Sequence, residues 1–276
     1  MKNKIKFAPV PYELKEQVFF VIYLFERRGK DVAQYKTEAF VLGSRNWGEA
    51  DKIIQLFSRE KGKLRASAFG CRRPKSPLAG ALQMFQVLDV TLNEGERVDT
   101  VRQAAVRKRF PMLSSDLNAM AYGAFIAELT LEMMPEGEPQ EQVYDWLMSV
   151  FDVCGERNPR VVALIAGWQM LELSGVGPTY DTCAHCGAHI DGNAFFDAAE
   201  GGALCPHCAE GIPTAKVYPD AVRDFLKMIS KLDFASLPSF HVKKEELLGA
   251  EELLLYTLDE LLGKRLKSVT FLSQLV

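Results

Sequence analysis

The sequence of 276 residues has no apolar segment long enough to span a membrane as a helix. Its most apolar run, at 18–25, is eight residues long, whereas a spanning helix needs about 20. Lys2, Lys4 and Lys6 resemble the basic start of a secretory signal, but no small-residue cleavage site follows the apolar run. These absences predict a cytoplasmic protein.

Common catalytic motifs are missing as well. The sequence has no G-x-x-x-x-G-K-[ST] loop for nucleotide phosphates, no H-E-x-x-H motif and no G-x-S-x-G motif. Gly175-Val-Gly177 lacks the third glycine and the preceding strand of a dinucleotide site. The four histidines form no recognisable nucleophile–base pair. The sequence therefore predicts a protein that is not an enzyme.

Basic residues are nearly absent from one part of the chain and concentrated in another. The segment 111–182 has 2 basic and 11 acidic residues, a net charge of −9, whereas 36–110 has 15 and 8, a net charge of +7. The flanking segments 1–35 and 183–276 carry +3 and −4, which leaves −3 for the whole chain. This asymmetry indicates nucleic-acid contact by the basic part, although a chance distribution of solvated charges would give the same pattern.

The basic part is predicted to be a small β-barrel. Its apolar residues form five short strand-like segments separated by glycine-bearing turns, which is typical of such barrels. The segments are Thr37–Leu42, Lys52–Ser58, Leu64–Phe69, Phe85–Leu92 and Val98–Val106. The stretch 70–80 interrupts the pattern with two prolines and several basic residues, and it is predicted to be a loop.

Helical periodicity begins after residue 114, so the fold class is α+β. Ser115 or Asp116 is predicted to cap a buried helix that runs to Met134. Further helices are predicted at 140–154, at 159–174, at 220–231 and at 244–262, the last ending at Gly263.

Four of the six cysteines form the pattern Cys-x2-Cys-x18-Cys-x2-Cys, at Cys183, Cys186, Cys205 and Cys208. This spacing is typical of structural zinc, because two tight turns can direct four thiolates at one tetrahedral ion. A closed set of four ligands leaves no position for water, which argues against metal catalysis. The intervening segment is short and rich in glycine, so we expect the metal to hold it together in place of a core of its own.

Two other interpretations of the cysteine pattern stay open: a redox dithiol and an ancestral site that no longer binds metal. His185, His189 and His207 are alternative ligands, but we expect His185 and His207 to point outward from their turns. Cys71 and Cys154 have no partner in the pattern and are expected to be ordinary packed or loop thiols.

Small five-stranded barrels bind single-stranded nucleic acid through a cationic groove with aromatic side chains for stacking. The candidate phosphate-binding residues are Arg59, Lys61, Lys63, Arg65, Arg72, Arg73, Lys75, Arg107, Lys108 and Arg109. We expect the Lys61–Arg65 hairpin and the Arg72–Lys75 loop to project from the same end of the barrel. Trp47, Phe57, Phe69 and Phe85 are candidates for stacking, with core packing the preferred interpretation for Phe57 and Phe85.

An ordered set of motifs resembles one known family. The motifs are Tyr35–Leu42, Asn46–Asp51, Leu56–Lys63, Gly70–Ser76, Leu82–Phe85, the two cysteine pairs and the closing stretch Leu262–Ser268. Together they resemble the bacterial RecO family of DNA repair and recombination mediators over about residues 35–276. Residues 1–34 precede the usual start of that family and are either a real extension or the product of an upstream start codon.

The resemblance implies an N-terminal OB-fold barrel, a helical domain and an inserted zinc-finger-like subdomain. The corresponding boundaries are 35–110 for the barrel, 111–182 and 213–276 for the helical domain, and 183–212 for the zinc insertion, after an extension at 1–34. It also implies a nucleoid-associated protein that binds single- and double-stranded DNA, anneals complementary strands and helps to load RecA with the partner RecR on gaps coated by the single-strand-binding protein SSB. The competing interpretation is a zinc-stabilised protein–protein adaptor that makes no DNA contact.

The implied SSB partner has an acidic, apolar C-terminal tail, which the acidic segment 111–182 would repel. A basic and apolar surface is therefore expected elsewhere. Arg223 and Lys227 lie four residues apart, so they share one face of a predicted helix, near Val222, Phe225 and Leu226. We expect the tail to dock there, although a solvated amphipathic helix would have the same pattern.

Overall fold

The computed structural model describes residues 33–275, so the predicted extension at 1–34 lies outside the described residues apart from its last two positions. The chain is α+β, as predicted, with an N-terminal barrel followed by helices. The strands of the barrel are β1 (Gln34–Trp47), β2 (Asp51–Ser58), β3 (Gly62–Ala68), β4 (Gln86–Asn93) and β5 (Asp99–Arg109).

The barrel closes in the order β1-β2-β3-β5-β4, with a parallel β3–β5 pair among antiparallel neighbours. The long strand β1 makes closure possible, because its first half pairs with β4 and its second half with β2. A bulge between Val41 and Gly43 marks the transition between the two pairings. The predicted OB-like barrel is thereby confirmed.

Both faces of the middle of β1 are buried, which departs from simple in–out alternation. Val41 points into the barrel core with Ile54 and Leu56. The alternate residues Phe40 and Leu42 belong to a second core that extends into the helices. The outer face of the barrel is therefore the surface against which the helical domain packs.

Four helices follow the barrel: α1 (Pro111–Ser115), α2 (Leu117–Met133), α3 (Glu141–Cys154) and α4 (Pro159–Leu173). The carboxylate of Asp116 accepts a hydrogen bond from the Ala119 N–H at 2.7 Å, which confirms the predicted cap of α2. Asn158 caps α4 in the same way, ahead of Pro159. The predicted positions of these helices are confirmed to within a few residues.

The segment between the cysteine pairs is a small sheet packed onto the helices. It contributes β6 (Ala194–Asp197) and β7 (Gly202–Leu204); the second cysteine pair lies at the short helix α5 (Pro206–Ala209), and β8 (Lys216–Tyr218) after it completes the sheet in the order β7-β6-β8. Phe196 is fully buried, with its ring 6.3 Å from that of Trp168 and 5.3 Å from that of Tyr218. The expectation that metal alone holds this segment is therefore wrong, because the segment shares the core of the helical domain.

The chain ends with α6 (Asp220–Ile229), a 3₁₀ turn (Phe234–Ser236), α7 (Lys244–Leu262) and α8 (Lys267–Leu272). Gly263 ends α7 in the left-handed conformation, with φ of 62°, as its position predicted. The carboxylate of Glu128 on α2 then accepts hydrogen bonds from the N–H groups of Lys267 and Ser268, which fixes α8 against α2.

Candidate metal centre and nucleic-acid interface

The two cysteine pairs meet at one point. All four Sγ atoms of Cys183, Cys186, Cys205 and Cys208 lie within 4.8 Å of one another. The Sγ atoms of Cys186 and Cys205 are 3.9 Å apart, close to the separation of about 3.8 Å that a tetrahedral ion with 2.3 Å bonds to sulfur requires. The four thiols are therefore placed to hold one metal ion.

Local backbone geometry explains this convergence. The Gly187 N–H donates to the carbonyl of Cys183 at 2.9 Å, and Gly187 has a φ of 75°, a conformation that favours glycine at this turn. The second pair lies at the start of α5, where Cys205 is the N-cap residue. Burial raises the pKa of the Cys183 thiol, but hydrogen bonds from the backbone N–H groups of Cys205, Cys186 and His185 outweigh that effect and bring it to about 6. Cys183 is thus readily available as a thiolate ligand.

Two of the nearby histidines pair with carboxylates, and the third is exposed. The Nδ1 atom of His185 lies 2.8 Å from the Glu200 carboxylate, which raises the pKa of the imidazole. His189 pairs with Asp191, and His207 is exposed. Among the described residues, the only cluster suited to a metal consists of the four cysteines. Cys71 and Cys154 are buried in the two cores as expected, and burial raises the pKa of Cys154 to about 12.

Most of the predicted DNA-binding residues on the β2–β3 hairpin contact the helical domain. Arg59 forms a two-pronged ion pair with Asp145 on α3, at 2.5 and 2.9 Å. Arg65 pairs with Glu136 at 2.9 Å. Lys63 donates to the carbonyl oxygen of Leu131 in the last turn of α2, at 2.7 Å.

The fourth residue of this hairpin set, Lys61, stays on the barrel. Its ammonium group lies 4.1 Å from the centre of the Tyr35 ring and 3.7 Å from Glu94. DNA binding by the four hairpin residues stays a prediction. Three of them, Arg59, Lys63 and Arg65, form ion pairs or hydrogen bonds with the helical domain.

Of the three basic residues at the end of β5, one pairs within the barrel, one pairs with the helical domain and one is exposed. Arg107 pairs with Glu38 and Asp89 within the barrel, and Lys108 pairs with Asp152 on α3 at 2.7 Å. Arg109 is exposed, and no ion pair within residues 33–275 includes it. The net positive charge of the barrel is therefore partly neutralised by the acidic helices.

Three cations remain exposed at the other end of β3. Arg72, Arg73 and Lys75 lie in the loop after β3, and none of the ion pairs formed inside the described part of the chain involves them. This loop leaves the end of β3 opposite to the β2–β3 hairpin, because the hairpin turn precedes the strand and the loop follows it. The prediction that both groups project from the same end is therefore wrong.

The exposed loop lies beside the β1–β2 turn. The guanidinium of Arg72 donates to the carbonyl of Gly48 at 3.3 Å, and its backbone N–H donates to that of Ala50 at 2.9 Å. On the adjoining end of β1, the guanidinium of Arg45 lies 5.4 Å from the centre of the Trp47 ring. Sequence reasoning omitted Arg45, although its position two residues before Trp47 places both side chains on one face of the strand.

Of the four aromatic candidates for stacking, two are buried in the core and two are accessible to solvent. Phe57 and Phe85 are buried in the core shared with the helices, which confirms the core-packing interpretation. Phe69 is 41% exposed at the start of the 69–85 loop, and Trp47 is partly exposed on the neighbouring turn. An accessible aromatic pair thus flanks the cationic loop.

The predicted docking surface on α6 is absent. Val222, Phe225 and Leu226 are buried in the core, and Arg223 is itself only 8% exposed. Arg223 donates to Asp220 at 2.8 Å, while Lys227 pairs with Asp181 at 2.6 Å. The prediction of an apolar surface beside these cations is wrong, because the apolar face of this amphipathic helix faces inward.

An apolar groove with basic residues at its rim occurs elsewhere, between α2, α4, α7 and α8. It encloses about 190 Å³. Its apolar lining includes Phe125, Leu164, Leu254, Val269 and Leu272. Arg265 and the Arg160–Glu251 ion pair lie at the groove, and Arg265 is exposed.

Within residues 33–275, no helix combines the length and apolar character needed to cross a bilayer.

Comparison with known proteins assigns both halves of the chain to one family. The family model "Recombination protein O N terminal" matches residues 32–110, and "Recombination protein O C terminal" matches 114–270. A protein named "DNA repair protein RecO" from Pelotomaculum thermopropionicum is 36% identical over 63% of this chain and 68% of its own length. One with the same name from Bacillus cytotoxicus is 32% identical over 87% of this chain and 97% of its own length. The chain therefore belongs to the recombination protein O (RecO) family.

Proposed function

We propose that this protein is a non-enzymatic DNA-binding mediator that anneals complementary strands and helps to load RecA on SSB-coated gaps together with RecR. Membership of a family whose members are named DNA repair proteins supports a role in DNA repair. The observation that carries the DNA-binding part is the end of the barrel that bears the exposed cations Arg45, Arg72, Arg73 and Lys75 together with the accessible rings of Trp47 and Phe69. Cations for phosphates beside aromatic rings for bases are the features that single-strand binding needs.

The arrangement favours binding without sequence preference. Arginine and lysine side chains in a loop neutralise phosphates, and base stacking on an aromatic ring accepts any base. Neutralising phosphates in this way lowers the repulsion between two strands and so promotes their annealing. The product of annealing is double-stranded DNA, which carries the same phosphates. The competing function, a protein–protein adaptor without DNA contact, gives the exposed cations of the loop no phosphate to bind.

The test is charge reversal of the loop, with Arg72→Glu and Arg73→Glu combined. Every phosphate that the protein no longer neutralises should reduce the salt slope of binding by about one unit. We therefore expect a slope lower by about two and at least about tenfold weaker binding to labelled oligo(dT) at low salt. Annealing of complementary strands, and RecA assembly on SSB-coated strands with RecR present, should slow as well. Folding should be unchanged, because exposed charges seldom determine stability.

A matched control reverses two exposed lysines of the helical domain, Lys231→Glu and Lys244→Glu, which changes the net charge by the same amount. If both double variants weaken binding equally, the effect is one of total charge and the loop is not the site. If neither responds, and binding by the unmodified protein barely changes between about 50 and 200 mM salt, the phosphate-contact mechanism is wrong.

We further propose that the metal held by the four cysteines is a single structural zinc ion. The donor set of four thiolates is the one that closed zinc sites prefer, and it leaves no position for a reacting water. Zinc there would join the turn at Cys183–Cys186 to the start of α5 and contribute to stability rather than to chemistry.

For the acidic, apolar tail of SSB, the groove between α2, α4, α7 and α8 is a better fit than the α6 surface. It offers apolar lining and the exposed guanidinium of Arg265. We expect Arg265→Glu to weaken binding of a synthetic tail peptide at least about fivefold, since it replaces a hydrogen bond between guanidinium and carboxylate with a repulsion between two carboxylates. Lys227→Glu, on α6, should leave the affinity unchanged, and the opposite pattern would contradict this placement.

A further inference from the structure

The carboxylates of the helical domain hold several of the cations that the DNA-binding proposal would otherwise assign to phosphates. Arg59 is paired with Asp145, Arg65 with Glu136 and Lys108 with Asp152. Asp145 and Asp152 are seven residues apart on α3, so they lie on the same side of that helix, two turns from each other. One face of α3 therefore presents carboxylates to the basic edge of the barrel.

These ion pairs are not what joins the two domains. A cluster of aromatic rings does so, with Phe151 of α3 lying 5.6 Å from Phe40 and 5.7 Å from Phe85 of the barrel, centre to centre. The three carboxylates themselves are 46–59% exposed, and exposed ion pairs contribute little to stability. Their positions therefore indicate a role other than attachment of the domains.

A carboxylate at these positions resembles a phosphate in charge and geometry. The Arg59–Asp145 contact is two-pronged, which is the arrangement that an arginine also makes with a phosphodiester. Beside it runs an open groove of about 700 Å³ on the outer face of β1, β4 and β5, whose charged lining consists of three cations and three carboxylates: Lys36, Arg59, Arg107, Glu38, Glu60 and Asp89. A strand crossing the barrel through this groove would meet cations that already have carboxylate partners.

We propose that Glu136, Asp145 and Asp152 act as internal substitutes for DNA phosphates. This inference rests on the proposed DNA-binding function and adds a regulation of it. On this side of the barrel, DNA binds by exchanging a carboxylate for a phosphate at each cation, while the loop with Arg72 and Arg73 is free to bind first. Because every exchange returns a carboxylate to water, the bound strand is held less tightly and is released more readily to its complement.

The experiment removes the three charges without removing the side chains, as Glu136→Gln, Asp145→Asn and Asp152→Asn combined. Binding of labelled oligo(dT) is measured by anisotropy between about 50 and 200 mM salt. In the unmodified protein each cation gives up a carboxylate when it takes a phosphate, so the variant makes the same phosphate contacts without that cost, and the salt slope should change by less than about one unit. Since an exposed ion pair changes an equilibrium by no more than about fivefold, we expect binding at low salt to tighten by about tenfold in total.

The matched control is Glu210→Gln, Glu245→Gln and Glu260→Gln combined, which removes three exposed carboxylates that form no ion pair with a cation of the barrel. A further Arg59→Gln change in the first triple variant should cancel part of its gain. If the two triple variants bind DNA alike while the affinity of the unmodified protein falls with salt, the exchange of carboxylates for phosphates does not occur, and the DNA-binding proposal stands. If the unmodified protein shows no salt-dependent binding, both fail.

Discussion

Lys63 shows how a single cation on a basic surface can serve the fold. Its ammonium group is partly buried and donates to the carbonyl oxygen of Leu131, one of the last carbonyls of α2, which has no partner within the helix. The negative end of the helix dipole lies at the same place, so the contact is favourable for a positive charge. A carbonyl cannot be exchanged for a phosphate without freeing the end of the helix.

We therefore expect Lys63→Met to lower the free energy of unfolding by about 1 kcal/mol while leaving the salt slope of DNA binding unchanged. Methionine keeps the length and apolar part of the side chain, so the difference in stability reports the ammonium contact. Urea unfolding measures the first quantity and oligo(dT) titration the second. A salt slope lower by one unit with unaltered stability would instead place Lys63 on the DNA.

At the level of single residues, sequence predicted side-chain chemistry better than side-chain surroundings. The convergence of the four cysteines was predictable because their spacing is a local property of two turns. The burial of Arg223 was not predictable, because a helical repeat shows which residues share a face but not which face is covered by another helix. Arg59 and Arg65 are similar cases, since their partners Asp145 and Glu136 lie more than 70 residues away in the chain.

At the level of elements, the insertion combines a cysteine cluster that could hold a metal ion with a core shared with the helical domain. Phe196, Ala203 and Leu204 are fully buried with the helical domain. Asp197 of β6 accepts hydrogen bonds from the hydroxyl groups of Thr214 and Tyr256, at 2.6 and 3.0 Å. The sheet should therefore remain in place without metal, while the two cysteine turns at its edge should not.

For this reason we expect Cys205→Ala to lose the zinc and to melt at a temperature at least about 5 °C lower, because metal-binding energy no longer opposes unfolding. Helix content in the far-ultraviolet circular dichroism spectrum should be retained at about room temperature. Elemental analysis should find one zinc per chain before the change and none after it. Cys71→Ala, at a buried thiol outside the cluster, is the control and should keep the metal. An unmodified protein that binds no zinc would contradict the structural role.

The longer elements were predictable and the shortest were not. Helices such as α3 and α7 have apolar periodicity over several turns and clear end signals at Gly155 and Gly263. The strands β6, β7 and β8 contain only three or four residues each, too few for any alternation to be recognised. Their sheet exists because buried side chains such as Phe196 find partners on distant helices, which is information that a local pattern does not contain.

For the whole molecule, the charge asymmetry has two causes. Part of it lies at the contact between domains, since the basic barrel faces an acidic α3 and the cations Arg59 and Lys108 are paired across that contact. Other cations of the barrel form no ion pair within the described residues, and three of them, Arg72, Arg73 and Lys75, lie together in one exposed loop. A basic segment followed by an acidic one is thus expected for a nucleic-acid-binding domain seated on a helical support, and the sequence alone does not separate the two contributions.

The aromatic contact between the domains should also determine how the molecule unfolds. Phe151 is buried and its ring lies within 5.7 Å of those of Phe40, Phe85 and Phe110, centre to centre. Because these rings belong to a core that runs from the barrel into the helices, the two parts should unfold in one cooperative transition. Phe151→Ala should cost about 3–5 kcal/mol and separate that transition into two.

The control for this prediction is Phe234→Ala, at a ring of similar burial that packs on Trp146 within the helical domain. It should lower stability by a comparable amount without splitting the transition, because it removes no contact with the barrel. Urea unfolding followed by both circular dichroism and tryptophan fluorescence distinguishes the two outcomes, since non-coincident curves report separate transitions. Coincident curves for Phe151→Ala would mean that the ion pairs and the close approach of Gly62 to Glu138 suffice to couple the domains.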